Sequence, residues 1–154
     1  MSGREIKFRG KRIDNGEWIY GSYLHQYYSI KNQGLIDAIA YTDRNQTFRP
    51  QIDPRAVSQF IGLRDNKRTE EYPEGQEVYE GDIFRHQFSD KIRGIVKFGE
   101  YQNPNDDGHG GHVGFYVDWK GDNGLYRKDL AYWVKVSRVI GNIYENHELM
   151  GGKG

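Results

Sequence analysis

The feature that most constrains the fold is a near-repetition of the chain about half its length apart. The segment that begins at Gly16 returns as the segment that begins at Gly94, with glycine and apolar or aromatic residues at the same positions. A second segment, Val57–Gly62, returns as Val136–Gly141 at nearly the same spacing. Internal similarity of this kind limits the possible architectures before any residue chemistry is considered. It indicates a tandem duplication.

Strand signals dominate both halves. Apolar and polar residues alternate most clearly over Val113–Trp119, and in a strand such residues point to opposite faces. Asn15-Gly16 predicts a hairpin turn in which both residues have positive φ. No long stretch has helical periodicity, so we expect an all-β protein. The other predicted strands are Ile6–Lys11, Glu17–His25, Leu35–Tyr41, Ala56–Gly62, Asp82–Gln87, Gly94–Tyr101 and Lys135–Ile143.

The aligned halves predict two small SH3-like barrels in tandem. The first barrel covers residues 1–66 and the second covers residues 78–150, with a linker at 67–77 and a disordered tail at 151–154. Barrels of this size are only marginally stable alone, so we expect a shared apolar interface or a homo-oligomer. The expected core comprises Trp18, Tyr20, Val96, Phe98, Phe115, Val117 and Trp119.

Composition narrows the function. The chain has no cysteine, which excludes disulfides, thiolate nucleophiles and cysteine-based zinc sites. Its 22 Lys and Arg residues balance 22 Asp and Glu residues, and each half is close to neutral. Nucleic-acid-binding domains usually concentrate basic residues, so this balance lowers that possibility without removing it. No segment reads as a signal peptide or a membrane span, and we expect a cytoplasmic protein.

One loop carries the residue types of a metal site. Asp106, Asp107, His109 and His112 provide two carboxylates and two imidazoles, which are ligands for divalent metals. A glycine-rich loop does not align two histidines as a helix does, so a solvated hairpin loop is the favoured interpretation. We keep the four residues as weak metal candidates and predict no cofactor. A metal-dependent activity centred on His109 and His112 is the weakest of the alternative functions. No nucleophile elbow or phosphate-binding loop is present in the sequence, so we expect that the protein is not an enzyme.

Two neighbouring carboxylates, Glu80 and Asp82, flank Gly81. Side chains at adjacent strand positions point away from each other and would not converge on a substrate. We predict a turn instead, in which Gly81 has a conformation that other residues avoid and Asp82 accepts a hydrogen bond from a nearby backbone amide.

The N-terminal segment combines basic and aromatic residues. Lys7, Arg9, Lys11 and Arg12 surround Phe8, a combination that suits single-stranded nucleic acid. The alternative is a solvated strand face beside inward-pointing aromatic residues, which small barrels require whatever their function. The tyrosines that follow are Tyr20, Tyr23, Tyr27 and Tyr28.

Several short motifs follow one another along nearly the whole chain. They are Arg4–Gly10, Gly16–Gly21, Gly62–Asp65, Val78–Ile83, Arg127–Leu130 and Val139–Asn146. In this order they resemble the YopX protein family of phages and prophages. The resemblance implies a mostly β protein with SH3-like barrels, encoded by mobile elements, and it implies no catalytic residues and no established activity. His147 departs from the family pattern, which has proline at that place.

These observations favour a non-enzymatic phage or prophage accessory protein that acts as a protein–protein interaction module. Its partner would be another protein or a second copy of the chain. The alternative is an accessory factor associated with DNA or RNA, in which Lys7, Arg9, Lys11 and Arg12 would cluster in space beside exposed tyrosines. We expect no membrane partner.

Overall fold

The structure is a computed structural model that describes residues 3–28, 34–109, 111–121 and 124–151. These residues form ten strands, one α-helix and one short 3-10 helix at His147–Met150. The α-helix, α1, covers Leu130–Val136. The strands are β1 Phe8–Arg12, β2 Trp18–Tyr28, β3 Gly34–Asp43, β4 Gln46–Phe48, β5 Ile52–Arg64, β6 Glu77–Tyr79, β7 Asp82–His86, β8 Ser89–Tyr101, β9 His112–Lys120 and β10 Arg138–Asn142.

The chain divides into two compact units, Met1–Phe60 and Ile61–Gly154. One sheet has the strand order β4-β3-β2-β1-β5-β6, and the other has the order β10-β7-β8-β9. Strand β5 crosses the boundary, so its last residues and β6 belong to the second unit. The prediction of a mostly β protein is confirmed.

The prediction of closed barrels is wrong, because both sheets are open. Within the described residues, β4 and β6 form the edges of the first sheet, and β10 and β9 form the edges of the second. A barrel requires the two edge strands to pair with each other. In the second unit a helix covers the apolar face instead, since Leu130, Trp133 and Val134 of α1 are buried in its core.

The first unit contains two hairpins that differ from the prediction. Gly16 has φ of 73° in the β1–β2 turn, but Asn15 does not have positive φ. The turn with two consecutive positive φ values lies between β3 and β4, at Arg44 (49°) and Asn45 (66°). The predicted hairpin at Asn15-Gly16 is therefore present, but only Gly16 has the predicted positive φ. Two consecutive positive φ values occur instead at Arg44-Asn45.

The core of the second unit confirms three of its predicted residues and contradicts one. Val96, Val117 and Trp119 are buried, whereas Phe98 is 57% exposed. Burial along this face of β8 ends at Val96, and Phe98 packs edge-on against the half-buried Phe115. Alternation places Phe98 on the correct face of the strand but does not determine how far along the strand that face is covered.

In the first unit, Trp18 is half-buried and Tyr20 is exposed, so the prediction that Tyr20 is a core residue is also wrong. Helix α1 was not predicted. Its apolar residues follow the helical spacing Leu130, Trp133 and Val134, but the helix has only seven residues. The predicted strand Lys135–Ile143 begins only at Arg138, since the preceding residues belong to this helix. The predicted disordered tail falls mostly on residues 152–154, which lie outside the described residues.

Candidate functional site

A groove of about 610 Å³ on the second unit is lined largely by aromatic residues. Its lining comes from the β7–β8 turn, the loop after β8, the segment before α1 and α1 itself. We call it the aromatic groove. Its lining residues are His86, Gln87, Phe88, 103–106, Leu125, Tyr126, Arg127, Tyr132 and Trp133.

Two large apolar side chains of the groove face solvent. Phe88 is 84% exposed and Leu125 is 75% exposed. Folding removes most large apolar side chains from water, and exposed apolar surface in a concave site often marks a binding surface. These two residues provide apolar surface that a partner can cover.

The floor of the groove is fixed by helix α1. Trp133 is buried, and its indole N–H donates to the carbonyl oxygen of Arg127 at 2.7 Å. The Trp133 ring also packs edge-on against Trp119 of β9, with centroids 4.6 Å apart. The hydrogen bond to Arg127 and the contact with Trp119 fix Trp133 in place. Helix α1 therefore presents the neighbouring Tyr132 to the groove from a rigid position.

His86 is the buried centre of this aromatic cluster. Its ring stacks on Tyr126 at 4.4 Å and also lies 5.4 Å from Trp119 and 5.3 Å from Trp133, between ring centroids. Burial lowers the pKa of His86. The backbone N–H of Phe88 donates to Nδ1 at 3.2 Å, so the neutral ring carries its proton on Nε2. His86 therefore holds the Phe88 turn in place as a neutral aromatic side chain.

The charged groups at the groove are paired. The guanidinium of Arg127 donates two hydrogen bonds to Asp129, at 2.8 and 2.6 Å. This pairing raises the pKa of Arg127 and lowers the pKa of Asp129. Asp106 lies 3.1 Å from Nε2 of His112. Each of these two lining residues, Arg127 and Asp106, therefore already has a partner within the protein, and most of the other lining residues are aromatic or carry an amide.

The four weak metal candidates do not form one cluster in the described structure. Asp106 contacts His112, whose ring stacks on Tyr101 at 5.1 Å. Asp107 instead accepts a hydrogen bond from the backbone N–H of His109 at 2.9 Å. Among the described residues, no group of three or more His, Asp or Glu side chains is arranged to hold a metal ion.

Arg9 is among the residues predicted for nucleic-acid binding, yet it is only 6% exposed. Its Nε–H donates to Ser58 Oγ at 3.0 Å, and its guanidinium lies 4.8 Å from the centre of the Trp18 ring. Lys11 approaches the same ring at 5.7 Å. Arg9 therefore packs against its neighbours in the sheet, and its guanidinium is too buried to contact a phosphate group.

The other predicted cations are paired as well. Lys7 lies 3.0 Å from Glu5. Arg12 is on the opposite face of β1 from Arg9 and donates two hydrogen bonds to Asp14, at 2.9 and 2.7 Å. The four predicted cations therefore do not form one surface. The side chains of Tyr27 and Tyr28 lie outside the described part of the structure.

The predicted turn at Gly81 is confirmed. Gly81 has φ of 88°, and the buried Asp82 carboxylate accepts a hydrogen bond from the backbone N–H of Tyr79 at 2.8 Å. Burial raises the pKa of Glu80. This segment connects β6 to β7 and has a structural role.

A row of cations that sequence reasoning missed crosses the second sheet. Arg138 lies opposite Arg85, Arg85 opposite Arg93, and Arg93 opposite Lys120. Directly opposed residues share one face of a sheet, so all four side chains lie on the face away from the α1 core. We call these four residues the basic row. Asp90 lies 3.0 Å from Arg85, and Asp118 lies 3.1 Å from Lys120.

Aromatic rings lie on the same face as the basic row. Tyr101 lies an even number of residues from Arg93 along β8, and Tyr116 lies an even number of residues from Lys120 along β9. Their side chains therefore point to the same face as those two cations. Their rings stack with centroids 5.1 Å apart. The row escaped sequence reasoning because its members come from four strands, and only their register brings them together.

Comparison with known protein families identifies the family of this chain. The family model described as YopX protein matches residues 7–151, nearly the whole chain. The chain belongs to the YopX protein family. No curated protein is significantly similar to it. No helix among the described residues of this YopX family member is long and apolar enough to cross a membrane.

Proposed function

We propose that this YopX family member is a non-enzymatic protein-interaction module whose aromatic groove binds an extended segment of a partner protein. The observation that carries the proposal is the exposure of Phe88 and Leu125 beside a rigid aromatic floor. Apolar pockets with a few placed polar groups are the usual form of binding sites. Family membership supports a phage or prophage setting, and the protein would act as an accessory factor in the host cytoplasm.

The chemistry of the groove favours an uncharged partner segment. Arg127 and Asp106 are each hydrogen-bonded within the protein, so a charged side chain of the partner would have to compete with these existing contacts. Aromatic-lined grooves recognise extended proline-rich segments, whose backbone carbonyls accept hydrogen bonds. Tyr132 provides such a donor, because its hydroxyl accepts from Gln87 Nε2 at 3.3 Å and retains its own proton. We therefore assign the groove to a segment rich in proline and aliphatic residues.

A photo-crosslinker at position 88 tests this proposal in host cells that express the protein. We expect crosslinks to an extended, uncharged segment of another protein, identified by mass spectrometry. A synthetic peptide of that segment should bind at least about tenfold more weakly to the double variant Phe88→Ala, Leu125→Ala. The melting temperature should stay close to the wild-type value, because both side chains are exposed.

A crosslinker at position 98 is the matched control. Phe98 is also an exposed aromatic residue, but it does not line the groove. Equal capture of the same segment from positions 88 and 98 would contradict a groove-specific site. Crosslinks between copies of the chain would indicate self-association instead, and unchanged peptide affinity in the double variant would refute the groove.

A second candidate function is association with single-stranded nucleic acid through the basic row. The specific observation in its favour is that four aligned cations share a sheet face with the stacked Tyr101 and Tyr116. Cations that follow a phosphate backbone and aromatic rings that stack on bases are the usual elements of such surfaces. This surface replaces the N-terminal cations as the most suitable nucleic-acid interface.

Salt-dependent binding of a fluorescent oligonucleotide tests the second function. Arg93→Gln and Lys120→Gln should each reduce the slope of log K against log salt by about 0.7. Lys7→Gln is the matched control and should leave the slope unchanged. A wild-type protein that shows no binding at low salt would exclude this function.

The two units also support a proposal about their origin. The order β3-β2-β1-β5 of the first unit corresponds strand by strand to the order β9-β8-β7-β10 of the second. Most residues of the repeated segments lie in corresponding strands, β2 with β8 and β5 with β10, although Gly16 precedes β2 and Val136 ends α1. We propose that the two sheets derive from one duplicated four-stranded module, and that the two copies are residues 1–66 and 78–150, joined by a linker at 67–77.

A further inference from the structure

The outer edge of β9 is open over the N-terminal half of the strand. The backbone N–H of Val117 points away from β8, since it donates to the carbonyl oxygen of Lys128 at 2.9 Å. Alternate residues of a strand direct their backbone groups to the same side, so those of Val113 also point outward. The segment before α1 bridges to β9 at Tyr116, whereas no described strand or bridge lies beside residues 112–114. The N–H and C=O groups of Val113 are therefore open to another strand.

The same stretch has an exposed apolar side. Val113 is 76% exposed, and Phe98 on the neighbouring strand β8 is 57% exposed. Both lie on the face of the α1 core, because Phe115 pairs with Phe98 and is two residues from Val113. Residues 112–115 contain neither lysine nor proline, which commonly protect edge strands from pairing. An open apolar edge of this kind is a site at which another strand can add to the sheet.

The other edge of the second sheet is protected. On β10, the backbone N–H of Val139 donates to the buried carboxylate of Asp65 at 2.9 Å. The backbone N–H of Asn142 donates to the side-chain oxygen of Asn146 at 3.2 Å. These contacts occupy donors that an added strand would need. The N-terminal half of β9 is therefore the edge of this sheet that is suited to pairing.

We propose that two copies of the chain pair through this edge of β9, antiparallel about a two-fold axis at Val113, so that their second sheets join into one continuous sheet. The stretch that a partner can reach runs from Gly111 to Phe115, and Val113 is its midpoint. In this register the N–H of each Val113 donates to the C=O of the other copy. The N–H of Phe115 donates to the C=O of Gly111 in the other copy. Such an interface uses the same surface on both copies.

A second copy fits this edge better than a flexible segment of another protein. Strand β9 is already ordered by its pairing with β8, so it loses little conformational entropy on binding, whereas a flexible segment would have to be ordered. Residues 111–115 contain no Asp, Glu, Lys or Arg, so the proposed register opposes no like charges at the axis. The dimer does not depend on the proposed function, because none of these residues lines the aromatic groove.

Sedimentation velocity of the full chain at increasing protein concentration tests the pairing. We expect a reversible dimer with a Kd of about 10–100 μM, because one pair of edge strands is a small interface. Val113→Lys places two like charges opposite each other at the axis and should weaken dimerisation at least about tenfold. Its melting temperature at low concentration should stay close to the wild-type value, because the side chain is exposed. Val113→Ile keeps a β-branched apolar side chain and should dimerise like the wild type.

A single introduced cysteine tests the register, since the chain has no cysteine of its own. In a hydrogen-bonded antiparallel pair the opposed Cα atoms lie about 5.5 Å apart, within the range of about 4.4–6.8 Å that a disulfide requires. Val113→Cys should therefore form a disulfide between copies under mild oxidation. Phe88→Cys is the matched control, because Phe88 is 84% exposed and lies outside this edge. The Val113→Cys disulfide should form at least about tenfold faster, since pairing raises the effective concentration of the two thiols.

Several results would overturn the proposal. A protein that stays monomeric at about 1 mM does not pair through this edge. A dimer that persists in Val113→Lys, or a disulfide that forms equally fast in Phe88→Cys, would place the contact elsewhere. Loss of the dimer in the Phe88→Ala, Leu125→Ala variant would assign self-association to the aromatic groove. A dimer that is unchanged in that variant and lost in Val113→Lys would support the β9 edge whatever the groove binds.

Discussion

The ring of His86, in β7, stacks on the ring of Tyr126 with centroids 4.4 Å apart. Tyr126 lies in the segment that leads to α1. The contact joins the sheet to the wall of the aromatic groove, because both residues line it. Burial lowers the pKa of His86, so the folded protein holds this ring neutral under conditions in which an unfolded chain would protonate it. The stability of the groove is therefore linked to pH.

Acid should destabilise the wild-type protein through His86. Its folded-state pKa is lower than its ordinary value near 6.5, so below that pH the unfolded chain binds a proton that the folded chain does not. We expect the free energy of unfolding contributed by this ring to fall as pH decreases from about 6.5 toward the folded-state pKa. Urea denaturation at a series of pH values measures the loss.

His86→Phe keeps an aromatic ring in the stack and removes the titrating group. We expect its stability to depend less on pH than that of the wild type as the pH falls below about 6.5. His109→Gln is the control, since it changes an exposed histidine in a loop and should retain the wild-type acid response. An identical pH profile for His86→Phe and the wild type would show that His86 is not the linked group.

A pair of phenylalanines in the same sheet separates buried from exposed positions. Phe84 is completely buried, whereas Phe98 is 57% exposed. We expect Phe84→Ala to cost about 3–5 kcal/mol of unfolding free energy and Phe98→Ala to cost less than about 1 kcal/mol. Chemical denaturation of the two variants under one condition gives the comparison, and similar losses would contradict the position of Phe98 at the surface.

The same phenylalanines show what sequence alone determines. Alternation along Val113–Trp119 predicted the strand and its apolar face, and the buried Val117 and Trp119 confirm it. It did not reveal that Phe98 lies beyond the covered part of β8, because coverage depends on α1, which is distant in sequence. A helix as short as α1 gives too few periodic positions to be recognised.

The site was harder to predict than the fold. Phe88 and Leu125 are separated by 36 residues in sequence. They line the same groove only because the fold places the β7–β8 turn beside the segment that precedes α1. The basic row likewise depends on register, since Arg138 and Lys120 join it through two intervening strands. Gly81 was predictable because its turn chemistry is local.

Gly81→Ala should destabilise the protein. Gly81 has φ of 88°, and an added Cβ would lie 2.9 Å from Cε2 of Tyr144. We expect a loss of about 1–3 kcal/mol from backbone strain and crowding together. Making Gly81→Ala in a Tyr144→Ala background removes the crowding and leaves the strain, so the difference between the two losses measures the contact.

Gly114→Ala is the matched control for Gly81. A Cβ at Gly114 would meet no atom within 4 Å, and its backbone does not have positive φ. We expect a change within about 0.5 kcal/mol. Equal losses at Gly81 and Gly114 in thermal unfolding would contradict the conformational requirement at the β6–β7 turn.

Asp65→Asn should be among the most damaging conservative substitutions in the chain. The Asp65 side chain is buried, and its two oxygens accept backbone hydrogen bonds from Lys67 and Gln76 on Oδ1 and from Val139 on Oδ2. An asparagine places an NH₂ group against one of these N–H donors, which leaves a buried donor unpaired. We expect a loss of about 2–3 kcal/mol in urea denaturation.

Asp107→Asn is the control for Asp65. Asp107 is exposed and uses one oxygen to accept from the backbone N–H of His109, an acceptor that asparagine retains. Its substitution should change stability by less than about 0.5 kcal/mol. Because the Asp65 hydrogen bonds join the segment after β5 to the start of β10, the Asp65→Asn protein should also show faster amide exchange at Val139. Unchanged exchange there together with wild-type stability would mean that Asp65 does not anchor β10.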